Sequence, residues 1–176
     1  MENLIKNLLN KKIEELKAIH VNITDIKTLH IENVGNCSNI DNLKELKGKY
    51  VIYEIMLKEN LSTEDRESLT LAFEEKRKEK TLALSRIKKN QDKENWINSQ
   101  NPCLYVGSSA DINSRLKGHL GFGAKKTYAL HFKEWASDIK LTIEIFVFDN
   151  KKEDVQLFED LLWIQSNPLF GRQGTL

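Results

Sequence analysis

Apolar residues near the N-terminus, Leu4, Ile5, Leu8, Leu9, Ile13 and Leu16, recur at three- and four-residue steps, which predicts a helix over 3–19. Residues 20–47 hold no sustained period; Gly35-Asn36 marks a turn, and 39–47 carries a short helical pattern. YVIYEIML, at 50–57, is short and rich in β-branched and aromatic residues, so it reads as a buried strand. The pattern then turns helical. Ser62 precedes Asp65 by three, a capping signal, and Leu69, Phe73, Leu84 and Ile87 follow among charged residues with no Gly or Pro. One long helix over about 63–90 is predicted, closed by Asn101-Pro102. CLYVG, at 103–107, is the next strand. A helix bearing Ile112, Leu116 and Leu120 follows, broken at Gly121-Phe122-Gly123. TYALHFKEWA, at 127–136, suits a short helix, and LTIEIFVFD, at 141–149, a third strand. Val155, Phe158, Leu161, Leu162 and Ile164 form a last helix, ended by Asn167-Pro168 and Gly171.

Without the N-terminal part and the long charged helix, the order is β–β–α–α–β–α. This predicts an α/β (α+β) layer structure, a small three-stranded sheet flanked by helices. The expected division is an N-terminal helical extension at 1–47 and a core domain at 48–176, with a helical insertion at about 58–101. Composition excludes several classes. With 40% hydrophobic residues in 176, the chain is too apolar to be disordered. No apolar run approaches the ~18–20 residues of a membrane span. The first twenty residues carry acids and no long apolar core, unlike a secretory signal. Cys37 and Cys103 form no CxxC, so neither a zinc site nor a disulfide framework is expected, and the cytoplasm is the expected location. The net charge of +1 is uninformative by itself; what matters for nucleic acid is where the basic groups cluster.

Four polar side chains stand out by position. Tyr105 lies on a strand ending at Gly107, Arg115 and His119 share a helix face four residues apart, and Glu159 sits among apolar neighbours in the last helix. Taken singly, each has a bland reading: a packed tyrosine, a solvated Arg–His pair, a surface carboxylate. Taken in order, VIYEI, LYVGSSADINSRLKGHL and LFEDLLWIQSNPLFG resemble the GIY-YIG nuclease family. The resemblance rests on Tyr105-Val106-Gly107, Arg115 ten residues after that Tyr, His119 four later, and Glu159 with Pro168 nine residues on. It covers 50–57 and 103–172, and the long charged segment would be an insertion between the two tyrosine motifs. The first motif is degenerate. Tyr50 and Tyr53 point to opposite sheet faces, so one of them serves, and the Ile-Tyr-charged-Ile pattern favours Tyr53. Gly171 stands where relatives often carry Asn, and Ser108 where some carry Lys.

The resemblance implies metal-dependent hydrolysis of DNA phosphodiesters, in a repair, mobile-element or restriction role. Glu159 would hold Mg2+, with Mn2+ as substitute, because one carboxylate plus waters suits that hydrated ion. Arg115 would hold the phosphoryl oxygens. Tyr105 would act as base, with Tyr53 and His119 handling protons and position. For DNA contact the candidates are Lys125 and Lys126 in GFGAKK, and Ser108 ahead of the following helix. Residues 74–93 add eight basic side chains against four acidic ones, enough to lie along a phosphate backbone. The bland reading of that segment is a solvated helix laced with ion pairs. A homodimer through the long helix would set two sites on two strands. The alternative to an enzyme is a catalytically inactive nucleic-acid- or partner-binding protein on the same scaffold. Tyr128 and His131 are further candidates near the site.

Overall fold

The computed structural model describes residues 22–37, 40–149 and 152–173. The expected helix over 3–19 lies outside them. Four strands, β1 (Ile23–Ile31), β2 (Tyr50–Leu57), β3 (Cys103–Ser109) and β4 (Leu141–Phe148), form one antiparallel sheet in the order β1-β4-β2-β3. The helices are α1 (Thr63–Lys78), α2 (Asn90–Ile97), α3 (Ile112–Leu120) and α4 (Lys152–Ser166). The mixed α/β class is the one the sequence predicts, but the sheet has a fourth strand. β1, ITDIKTLHI, is exposed at most positions and buries only Ile31. A register shift between Ile23 and Asp25 further blurs its alternation. The expected short helical pattern at 39–47 is a 3-10 segment, Ile40–Leu46.

Alternation along the strands divides the core in two. Val51, Tyr53, Ile55 and Leu57 of β2 stand opposite Val147, Ile145, Ile143 and Leu141 of β4, and all are buried in the main cluster. Ile52, Cys103, Val106 and Phe148 form a second cluster with Val155 of α4. Each fully buried aliphatic side chain contributes about 1.5–3 kcal/mol. Ile31, Val34, Leu43 and Leu46 also belong to the main cluster. These described residues of the expected 1–47 extension thus pack into the same cluster as the strands.

The long helix over 63–90 does not form. α1 begins as predicted, with the Ser62 side chain accepting from Asp65 N–H, but it ends at Lys78. Lys76, Arg77 and Lys78 lie in its last turn, where cations suit the helix dipole. Lys80 (φ 57°) and Asn90 (φ 51°) turn the chain left-handed. Between them, residues 81–89 run as an irregular strap. The three-residue step of Leu84 and Ile87, read as helical, instead buries both side chains from this strap. Leu84 bridges Ala129, and Ile87 bridges Phe170. A second helix, α2, follows and buries Trp96 and Ile97. The guanidinium of buried Arg66 lies 4.5 Å from the centre of the Trp96 ring and donates to Asn101 O (2.7 Å), joining α1 to α2. The whole excursion closes on itself, because Leu57 N–H donates to Pro102 O (2.9 Å).

The helix expected over 127–136 is also absent. His131 has φ 51°, and only Phe132–Glu134 makes a 3-10 turn. Among the described residues, no helix is long and apolar enough to cross a membrane.

Candidate active site

β3 and α3 form one unit. The Asp111 side chain caps α3 by accepting from Ser114 N–H (3.1 Å), and the helix ends at Gly121. This aims Arg115 and His119 back across the sheet face that carries Tyr53 and Tyr105. Arg115 Nε–H donates to Tyr53 Oη (3.1 Å), and Arg115 Nη2–H to Tyr105 Oη (2.9 Å). Its third group, Nη1–H, donates to the carbonyl of Tyr128 (2.6 Å). A guanidinium has five N–H donors. Two are left without a partner among the described residues, one on each terminal nitrogen.

His119 is fully buried, and its proton can be placed. The Leu130 backbone N–H donates to Nδ1 (3.3 Å), so Nδ1 carries the lone pair. Burial pushes the imidazole well below the usual histidine range, and the charges of Arg115 and His131 add to this. A neutral ring with a bare Nδ1 bears its hydrogen on Nε2. His119 Nε2–H therefore donates to Tyr53 Oη (2.9 Å). Tyr53 is fully buried between two donors. Burial holds its phenol well above the usual range, Tyr105 adds to this, and Arg115 pulls the other way. Tyr105 is half-buried and stacked near Tyr53, ring centres 6.0 Å apart. Tyr50 is 36% exposed and takes no part.

Gly107 explains the tight tyrosine–glycine pairing of the strand. A Cβ there would sit 2.7 Å from Tyr105 Cε1 and 2.9 Å from Tyr53 Oη. Only a residue without a side chain lets both rings close over it.

Glu159 comes from α4 and is half-buried. Ser108 Oγ–H donates to its Oε2 (2.5 Å). In this structure the hydroxyl expected to meet a phosphate thus serves the carboxylate. Burial raises the Glu159 pKa, Ser108 lowers it, Asp160 raises it and Arg115 lowers it. Glu159 is close enough for its charge to act on Tyr53, and that of Arg115 to act on it. The carboxylate suits a hydrated divalent cation: one oxygen is fixed, and burial penalises its charge until a cation offsets it. Among the described residues there is no group of three or more His, Cys, Asp or Glu that could cage a metal. A Mg2+ here would keep most of its waters.

The structure thus brings Tyr53, Tyr105, Arg115 and His119 into one hydrogen-bonded cluster with Glu159 nearby. Lys125 and Lys126 are exposed on the loop after α3. Tyr128 is 72% exposed, and what it gives the cluster is its carbonyl. His131 is buried, its Nε2 against Thr127 O (3.0 Å), and joins the cluster only through its charge on His119. An open groove of about 570 Å3, lined by Leu61, Leu69, Trp135 and Ile139 among others, contains none of these residues.

Sequence reasoning missed the backbone partners, Leu130 N–H and Tyr128 C=O, and the strap beside them. Ala83 N–H donates to Lys125 O (2.9 Å), Ser85 N–H to Ala129 O (2.9 Å) and Lys88 N–H to Leu169 O (3.0 Å).

Residues 95–173 match the family model described as the GIY-YIG catalytic domain. No curated protein and no solved structure gives a significant match. The match indicates a nuclease-type function. It spans Tyr105, Arg115, His119 and Glu159 but not Tyr53, which the fold supplies from β2.

Proposed function

We propose, from that match and from the arginine held between two tyrosine hydroxyls, that this chain is a metal-dependent endonuclease hydrolysing DNA phosphodiesters. The observation that carries the reading is Arg115. Its guanidinium is fixed by three acceptors and keeps two N–H donors for a ligand, which suits two non-bridging oxygens of one phosphate. Donors held in place before negative charge builds up need no reorganisation during reaction.

Tyr105 is the candidate proton acceptor. Its oxygen lies beside Arg115 and, unlike that of Tyr53, is not sealed by burial. It takes one proton from the attacking water as its own phenolic proton passes to solvent. The hydroxide oxygen bonds to phosphorus, and the 3′-oxygen leaves with the bond's electron pair and is protonated from solvent. His119 does not accept that proton, since Nε2 already bears one and Nδ1 is capped; it positions Tyr53, which in turn positions Arg115. Glu159 is the residue that would hold Mg2+. Such an ion supplies Lewis acidity and charge neutralisation at the phosphate. Lys125 and Lys126 offer backbone charge to the same strand.

The test is plasmid cleavage in Mg2+ and in Mn2+, wild type against Glu159→Gln. Metal-dependent nicking or cutting should be lost by at least about 100-fold in the variant, as for removal of a group acting in the transition state. Equal background from both proteins over several DNA forms would sink the enzyme and leave a non-catalytic binding protein.

A further inference from the structure

We infer that Arg86, on the strap outside the matched region, is a phosphate-binding residue that holds the DNA strand beside the scissile phosphate. The inference rests on the nuclease reading above and extends it to a part of the chain that no family resemblance covers.

The strap is tied to both loops that border the tyrosine–arginine cluster. On one side, Ser85 N–H donates to Ala129 O (2.9 Å), and Ala129 N–H to Ala83 O (3.1 Å). Ala129 follows Tyr128, whose carbonyl holds Arg115. On the other side, Gly171 N–H donates to Arg86 O itself (2.8 Å). Gly171 lies against the Tyr105 ring, where a Cβ would come within 3.2 Å of Cε2. The backbone of Arg86 is therefore fixed between the group that holds Arg115 and the group that packs on Tyr105.

The side chain is free. Leu84, Ser85 and Ile87 are buried, and Arg86 alone among residues 84–87 is exposed. It makes no ion pair or side-chain hydrogen bond among the described residues. Two basic side chains of the same excursion are already engaged: Lys88 is bound to Asn167, and Lys76 pairs with Glu79 (2.9 Å). An unpaired guanidinium on a rigid backbone beside the site matches a phosphate oxygen pair, and its planar fork is already organised for one. Arg115 serves the reacting phosphate, which leaves Arg86 for a neighbouring one on the same strand.

The experiment measures binding of a labelled DNA duplex over a range of salt in EDTA, and then steady-state cleavage in Mg2+. The proteins are wild type, Arg86→Ala, Arg86→Lys, and Lys140→Ala as a remote cation. Loss of one phosphate contact should flatten the slope of log K against log salt by about 0.9 in Arg86→Ala. KM should rise several-fold with kcat little changed, since the contact is the same in ground and transition states. Arg86→Lys should recover most of the slope because it keeps the charge. A wild-type slope and KM in Arg86→Ala, or an equal loss in Lys140→Ala, overturns the inference while leaving the nuclease intact. Duplex binding that loses this slope in Arg86→Ala, in a protein that does not cut, keeps the phosphate contact of Arg86 but sinks the enzyme, and with it the place of that contact beside a scissile phosphate.

Discussion

The imidazole of His119 has its protonation decided by its surroundings: an amide hydrogen on one nitrogen, a phenol oxygen on the other, a guanidinium on the same helix face. This gives a signed prediction for stability. The unfolded chain has an ordinary histidine, and the folded chain a histidine that resists charging. As pH falls below about 6.5, the unfolded state binds a proton that the folded state lacks, so stability falls. The contribution is fully present above that pH and is lost on acidification, by at most about 1.4 kcal/mol per pH unit. Denaturant midpoints measured across this range should show the loss in wild type, and His119→Gln should remove this component of the slope. An unchanged slope would mean the ring is solvated. At this scale much was legible. Tyr105, Arg115 and His119 lie on one strand–helix unit, so their spacing carries their geometry. Tyr53 was separable from Tyr50 because strand side chains alternate. Leu130 N–H and Tyr128 C=O were not legible, since a backbone group carries no side-chain signature and its aim depends on the fold around it.

The strap at 81–89 is the element on which sequence pattern and structure part. Leu84 and Ile87 are three apart, and that step fits a helix face as well as an extended segment that buries three of its four residues 84–87. The breaks at Lys80 and Asn90 were equally hidden: Asn tolerates the left-handed region, but Lys gives no warning of it. α1, by contrast, was legible because Ser62 and Asp65 form a cap with a known partner. β1 was missed because an exposed edge strand needs few apolar residues. If the strap is packed rather than draped, Leu84→Ala should cost about 2–4 kcal/mol in a denaturant titration. Leu71→Ala, at a position 57% exposed on α1, should stay within about 0.5 kcal/mol of wild type. Similar small values for both would mean that the strap does not carry its share of the core. The charge once assigned to one long helix is divided by these breaks among the end of α1, the strap and α2.

For the whole molecule, the sequence suggests a boundary near residue 47, and the described core crosses it. Ile31, Val34, Leu43 and Leu46 pack with the same cluster as the strands, and β1 covers one edge of β4. A chain begun at Gly48 should therefore lose cooperative unfolding, as read by near-UV circular dichroism and by binding of a hydrophobic dye. A sharp transition in that truncation would place a genuine domain boundary there. The excursion between β2 and β3 has a different consequence. Because Leu57 and Pro102 are joined at its base, closing it costs a term that grows only with the logarithm of its length. Residues added near Glu59–Leu61 or Ser99–Gln100 are then absorbed as slack. One residue added between Ala83 and Lys88 cannot be, because the two flanking loops fix both ends of that interval. Natural variation in length should be crowded into the first two places and scarce in the third, so a ruler of six residues is embedded in an otherwise extensible segment.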